Sequence, residues 1–210
     1  MTVIRTEDEL ALEAQWDDAH DPAVGVVILC HPHPLEGGTM NAPLMRAVAQ
    51  SLAAAGLHVL RFNFRSVGQS EGEWGAGIGE VGDVAAAVEA AGLAFPEETV
   101  SLAGWSFGAT TSLRWQTESE STHAWVGIAP GIKPYRGTDP PDTNRLQPAA
   151  RLVIAGDRDQ FASVDAIRDF ADRIGARVEI MPGSDHFFYF REAKVGEMVA
   201  QFLGGRAAAP

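Results

Sequence analysis

Val100-Ser101-Leu102-Ala103, followed directly by Gly104-Trp105-Ser106-Phe107-Gly108, is the stretch on which the fold turns. The first four residues read as a short buried strand, and residues 107–116 read as a helix. A Gly-x-Ser-x-Gly pattern at such a junction places the serine on a sharp, strained turn. The small residues two positions to either side let strand and helix approach each other. Ten serines and 22 glycines in 210 positions give about 0.1 matches by chance, so the flanking strand and helix give the pattern its weight.

Outward from this junction the chain alternates. Residues 10–16 set Leu10, Leu12, Ala14 and Trp16 against polar partners and read as a half-buried edge strand. Residues 24–30 are continuously apolar and β-branched, as a strand covered on both faces would be. A helix is expected over 44–55 with Gly56 closing it, then a strand over 57–64, a helix over 81–93 and, beyond the junction, a strand over 125–129. Strands over 152–155 and 178–181 alternate with helices over 164–174 and 192–203. This rhythm predicts an α/β fold: a mostly parallel, doubly wound sheet with helices on both faces. A single domain is expected over 1–203, with a flexible tail over 204–210 and no insertion long enough for a large cap. Residues 65–79 and 130–148 follow predicted strands, where open α/β sheets place their binding loops.

The net charge of −12 disfavours nucleic acid and anionic membrane as partners, and no apolar run is long enough to span a bilayer. The opening MTVIRTEDEL has neither the basic end nor the apolar stretch of a secretion signal. The one cysteine, Cys30, excludes an internal disulfide and reads as a buried small hydrophobe. A cytoplasmic location is expected.

A serine hydroxyl needs a base to take its proton. Among the six histidines, His186 lies in Gly-Ser-Asp-His-Phe-Phe, on a loop between the last strand and the last helix. His20, His58 and His123 stand at strand ends. The imidazole in turn needs a carboxylate to fix its tautomer. Ala155-Gly156-Asp157-Arg158-Asp159 offers two, of which Asp159 is favoured, Asp157 having a ready role as a turn residue. Two N–H donors are needed for a developing oxyanion. One is that of Phe107, at a helix N-terminus. The other comes from His31-Pro32-His33-Pro34-Leu35, where the prolines leave His33 or Leu35, with His33 preferred. His31 and His33 lack a third metal ligand, so no metal and no cofactor are expected. Leu35, Trp105, Phe161 and Phe187 are the expected substrate contacts, with Trp74 and Phe107 beside them. Arg61 and Arg65 read as a structural ion-pair or loop-anchoring feature, with a hold on a substrate carboxylate as the alternative.

The motifs HPHPLEGGTMN, RFNFRSVGQSEG, GWSFG, AGDRD and GSDHFF, in that order from about Val24 to about Leu203, resemble the small cap-less α/β-hydrolases related to dienelactone hydrolase. More narrowly they resemble a bacterial group of predicted serine esterases. The resemblance implies the α/β-hydrolase fold and a Ser106-Asp159-His186 triad. Dienelactone hydrolase proper has cysteine at the elbow, so its lactone substrate does not carry over. Pro32 stands where the family's oxyanion loop more often has glycine. The expected activity is hydrolysis of a small carboxylic ester through an acyl-enzyme. A thioesterase or amidase using the same groups, and a non-catalytic binding protein on the same fold, are the alternatives.

Overall fold

In the computed structural model, which describes residues 2–20, 22–136 and 138–207, the apolar run ending at Cys30 is strand β3 (Gly25–Cys30), buried at every residue. Before it stand β1 (Thr2–Arg5) and β2 (Ala11–Asp17). After it come α1 (Pro43–Ala54), β4 (Leu57–Phe62), α2 (Gly79–Ala94), β5 (Val100–Trp105), α3 (Phe107–Glu118), β6 (Trp125–Ile128), β7 (Arg151–Gly156), α4 (Val164–Arg173), β8 (Ala176–Met181) and α5 (Glu192–Ala207). The strands form one sheet in the order β1-β2-β4-β3-β5-β6-β7-β8. From β4 onward along that order the pairs are parallel, while β1 and β2 join antiparallel at one end. This is the α/β-hydrolase fold, with no cap domain among the described residues.

Successive side chains of a strand point to opposite faces, and the core divides accordingly. Val26, Ile28 and Leu102 pack with Val84 of α2, Leu113 of α3 and Phe170 of α4. Val27, Leu29 and Ala103 pack on the other face with Leu44 and Leu52 of α1 and Val199 of α5. Local chemistry sets the element ends. Pro43 opens α1, where its missing N–H is no loss, and Gly56 follows that helix at φ +81°. Ser163 caps α4 by accepting from the Ala166 N–H.

Two features depart from the sequence reading. β2 is not the sheet edge, because β1 pairs outside it. That strand has four residues with only Ile4 buried, too short for its alternation to register. And α5 continues to Ala207, into the segment 204–210 expected as a tail; residues 208–210 lie outside the described residues.

Arg61 donates to both carboxylate oxygens of Asp17 (2.6 and 3.0 Å) and to the Met40 carbonyl. Arg65 holds Asp83 and Asp8. Both arginines are buried and lie outside the cleft described below, as structural ties between β2, β4, α2 and the N-terminal segment. Cys30 is fully buried, and burial pushes its thiol pKa up. Among the described residues no helix is long and apolar enough to cross a membrane.

Candidate active site

Ser106 stands between β5 and α3 at φ 53°, ψ −112°, a backbone region that L-residues avoid unless their surroundings impose it. What imposes it is close approach on both sides. A Cβ on Gly104 would meet the Ala109 nitrogen and the Gly108 carbonyl carbon, both at 2.5 Å. One on Gly108 would lie 2.3 Å from the Cys30 carbonyl oxygen at the end of β3. The glycines thus press α3 against both strands, and the turn lifts the Ser106 hydroxyl above the sheet.

His186 arrives on the turn between β8 and α5. Asp185 Oδ1 accepts from the Phe187 and Phe188 N–H groups (3.0 and 2.9 Å), and Phe188 is driven fully into the core, which sets the orientation of the turn. Trp105 Nε1 donates to the His186 carbonyl (3.1 Å). The imidazole Nε2 lies 3.0 Å from Ser106 Oγ, and Nδ1 lies 2.8 Å from Asp159 Oδ2. With a carboxylate at Nδ1, the neutral ring carries its proton there and Nε2 faces the serine hydroxyl as an acceptor.

The loop after β7 separates the two candidate carboxylates. The Asp159 side chain is 2% exposed, and its Oδ1 accepts from the Phe161 and Ala162 N–H groups (2.7 and 3.3 Å), so that Oδ2 is turned to His186. Asp157 faces outward and accepts from the Gly183 N–H (2.7 Å), tying the β7 loop to the turn that carries His186. Gly156 allows that contact, since a Cβ there would lie 2.1 Å from the Ser184 carbonyl oxygen.

Of the two loop N–H groups considered for an oxyanion, that of Leu35 is taken by His33 Nδ1 (3.2 Å). The His33 N–H makes no hydrogen bond among the described residues. The Phe107 N–H is at the first position of α3, where no helical carbonyl reaches it. The His33 and Phe107 rings lie 5.1 Å apart, so the two backbone segments share one wall of the site.

A cleft of about 560 Å³ opens over Ser106. Trp105, Phe107, Phe161 and Phe187 line it as expected from sequence; Leu35 and Trp74 do not. Trp74 packs behind, its ring 4.9 Å from that of His33 and 5.3 Å from that of Phe107. Leu35 projects from the short turn Pro34–Glu36 and is half exposed. Residues that went unnamed in the sequence line the far wall: Ile132, Lys133, Tyr135 and Thr138, on the Pro-rich loop after β6. Glu36 accepts from Arg136 Nε (2.5 Å) and Tyr135 Oη (3.3 Å), which joins this wall to the loop after β3. The signal for these residues was the position of the loop after a strand, which marks a binding loop but not its individual contacts.

Of the two histidine side chains of the β3 loop, that of His31 is structural. His31 is fully buried; its Nε2 accepts from the Phe64 N–H (3.0 Å), so Nδ1 carries the proton toward the Pro32 carbonyl (2.6 Å). Among the described residues no group of three His, Cys, Asp or Glu could hold a metal ion. Burial pushes the His31 pKa down to about 4. Between that value and the ordinary value near 6.5, the unfolded chain binds a proton that the folded chain refuses. Stability is therefore expected to fall as pH drops from about 6.5 to about 4, by roughly 3 kcal/mol from this group. Denaturant titrations at neutral pH and at the acid end of that window check it, with His31→Gln expected to show a smaller loss.

Among known proteins, the family described as an alpha/beta hydrolase domain matches residues 24–207. A structure from Coxiella burnetii, described as an alpha-beta serine hydrolase homologue, shares 30% identity, covering 96% of each chain with a TM-score of 0.85. One from Xanthomonas campestris, described as a serine hydrolase without lid, also shares 30% identity, covering 100% of this chain and 95% of that one with a TM-score of 0.87. An uncharacterized protein of Rickettsia prowazekii is 28% identical over 202 residues, 91% of this chain and 84% of the relative.

Proposed function

The chain belongs to the alpha/beta hydrolase family, and from that premise we propose that it is a serine hydrolase that cleaves small carboxylic esters through an acyl-enzyme on Ser106. The observation that carries this reading is the unbroken hydrogen-bonded line Ser106 Oγ to His186 Nε2, and His186 Nδ1 to Asp159, beginning on a strained turn at a helix N-terminus.

Ser106 Oγ attacks the ester carbonyl while His186 Nε2 takes the hydroxyl proton, and Asp159 holds the resulting imidazolium. The oxyanion accepts from the N–H groups of Phe107 and His33, aided by the positive end of α3. Collapse of the tetrahedral species breaks the bond to the alcohol, which leaves with the proton from His186. Water then attacks the acyl-enzyme, giving its proton to His186. The second collapse releases the acid and restores the Ser106 hydroxyl. No redox or metal step enters this sequence.

The purified protein is expected to hydrolyse short-chain nitrophenyl esters at a rate unchanged by a chelator, and a fluorophosphonate probe should label Ser106 alone. Failure to label Ser106 in folded protein would remove the proposal, as would activity that a chelator abolishes and zinc restores.

A further inference from the structure

The apolar surface beside His186 has no role in the bond-making steps above. The departing alcohol must collect its proton from His186 Nε2, and so leaves within about 3 Å of that atom. Three rings surround the imidazole there: Phe161 at 4.6 Å, Phe187 at 5.6 Å and Trp105 at 6.4 Å between centroids. All three line the cleft. Phe187 is in turn stacked on Tyr189, at 5.5 Å and 26° between planes, outside the cleft lining. Phe161, beside His186, is 44% exposed, and Tyr189, one ring further out on Phe187, is 62% exposed, much open aromatic surface next to a catalytic group. The Asp185 carboxylate is turned back to its own turn's N–H groups. Tyr135 packs edge-on against both Phe161 and His33, at 5.9 and 5.7 Å between centroids, and its hydroxyl donates to Glu36.

On the serine-hydrolase reading above, we propose that the substrate is an ester of a large, flat, apolar alcohol. The alcohol lies against Phe161 and Phe187 and runs outward along the Phe187–Tyr189 stack. A ring seated on such a platform gains about tenfold in binding, the scale of one aromatic contact.

Acetates of butanol, phenylethanol and naphthylethanol test this, because all three alcohols are primary and unactivated and differ mainly in flat apolar area. The wild-type kcat/KM is expected to rise about tenfold from the butyl to the naphthylethyl ester. In Tyr189→Ala that ratio should fall toward one. In Leu93→Ala, which removes an even more exposed apolar side chain, on α2, it should hold. Turnover of all three acetates without preference, or a ratio unmoved by Tyr189→Ala, overturns the proposal and leaves the serine hydrolase standing. No turnover together with no labelling of Ser106 overturns both.

Discussion

Replacing Ser106 by alanine is expected to abolish turnover, with kcat falling by about 10⁶, the scale found when the nucleophile of such a triad is removed. The fold should survive. The Ser106 hydroxyl bonds His186, and alanine meets the same backbone strain as serine at φ 53°, so the melting temperature should move little. Rate measurements on ester substrate together with a thermal melt check both halves. Retention of more than a few per cent of activity in folded protein would place the nucleophile elsewhere.

The second large effect is at the acid. Asp159→Asn should cost up to about 10⁴ in kcat, and the geometry gives the reason. Oδ1 already receives two backbone N–H groups, so the asparagine oxygen will occupy that place and its NH₂ will point at His186 Nδ1. A donor there drives the ring proton to Nε2, and the nitrogen that should accept from Ser106 becomes a donor. Asp157→Asn keeps the oxygen that receives the Gly183 N–H and should change kcat only a few-fold. Both variants need an unchanged melting temperature for the comparison to bear on catalysis. A dead Asp157→Asn beside an active Asp159→Asn would reverse the roles.

Much of this was legible in the chain. The expected strands and helices are present, most with boundaries within two residues, because period-two and period-3.6 patterns are local properties of a sequence. The glycines flanking Ser106 were legible for the same reason: a sharp strand-to-helix turn admits only small neighbours at those positions, as the contacts of Gly104 and Gly108 demonstrate. Other features were out of reach. Four-residue β1 has too little alternation to stand out, and it forms because β2 offers an open edge. Trp74 looked like a cleft residue and lies one layer behind it, since a Gly-rich loop does not announce which way its large side chain turns.

The element order, the mostly parallel sheet and the strained serine turn follow from the chain alone, since all of them depend on neighbours a few residues apart. Which carboxylate, which N–H and which aromatic rings meet at that serine is fixed by how the elements pack. His186 reaches Ser106 across 80 residues of chain and Asp159 across 27. Those meetings exist because β5, β7 and β8 end on the same side of one sheet. Asp157 and Asp159 are two positions apart and chemically identical; what separates them is that the N–H groups of Phe161 and Ala162 fix one toward the imidazole, while that of Gly183 holds the other outside. In the same way the His33 ring, by accepting from the Leu35 N–H, leaves the His33 N–H as the loop donor without a partner among the described residues. The bonds within the Asp159 and His33 loops are local turns; which carboxylate and which N–H then face Ser106 is set by the packing of distant segments, and no local pattern of residues encodes it.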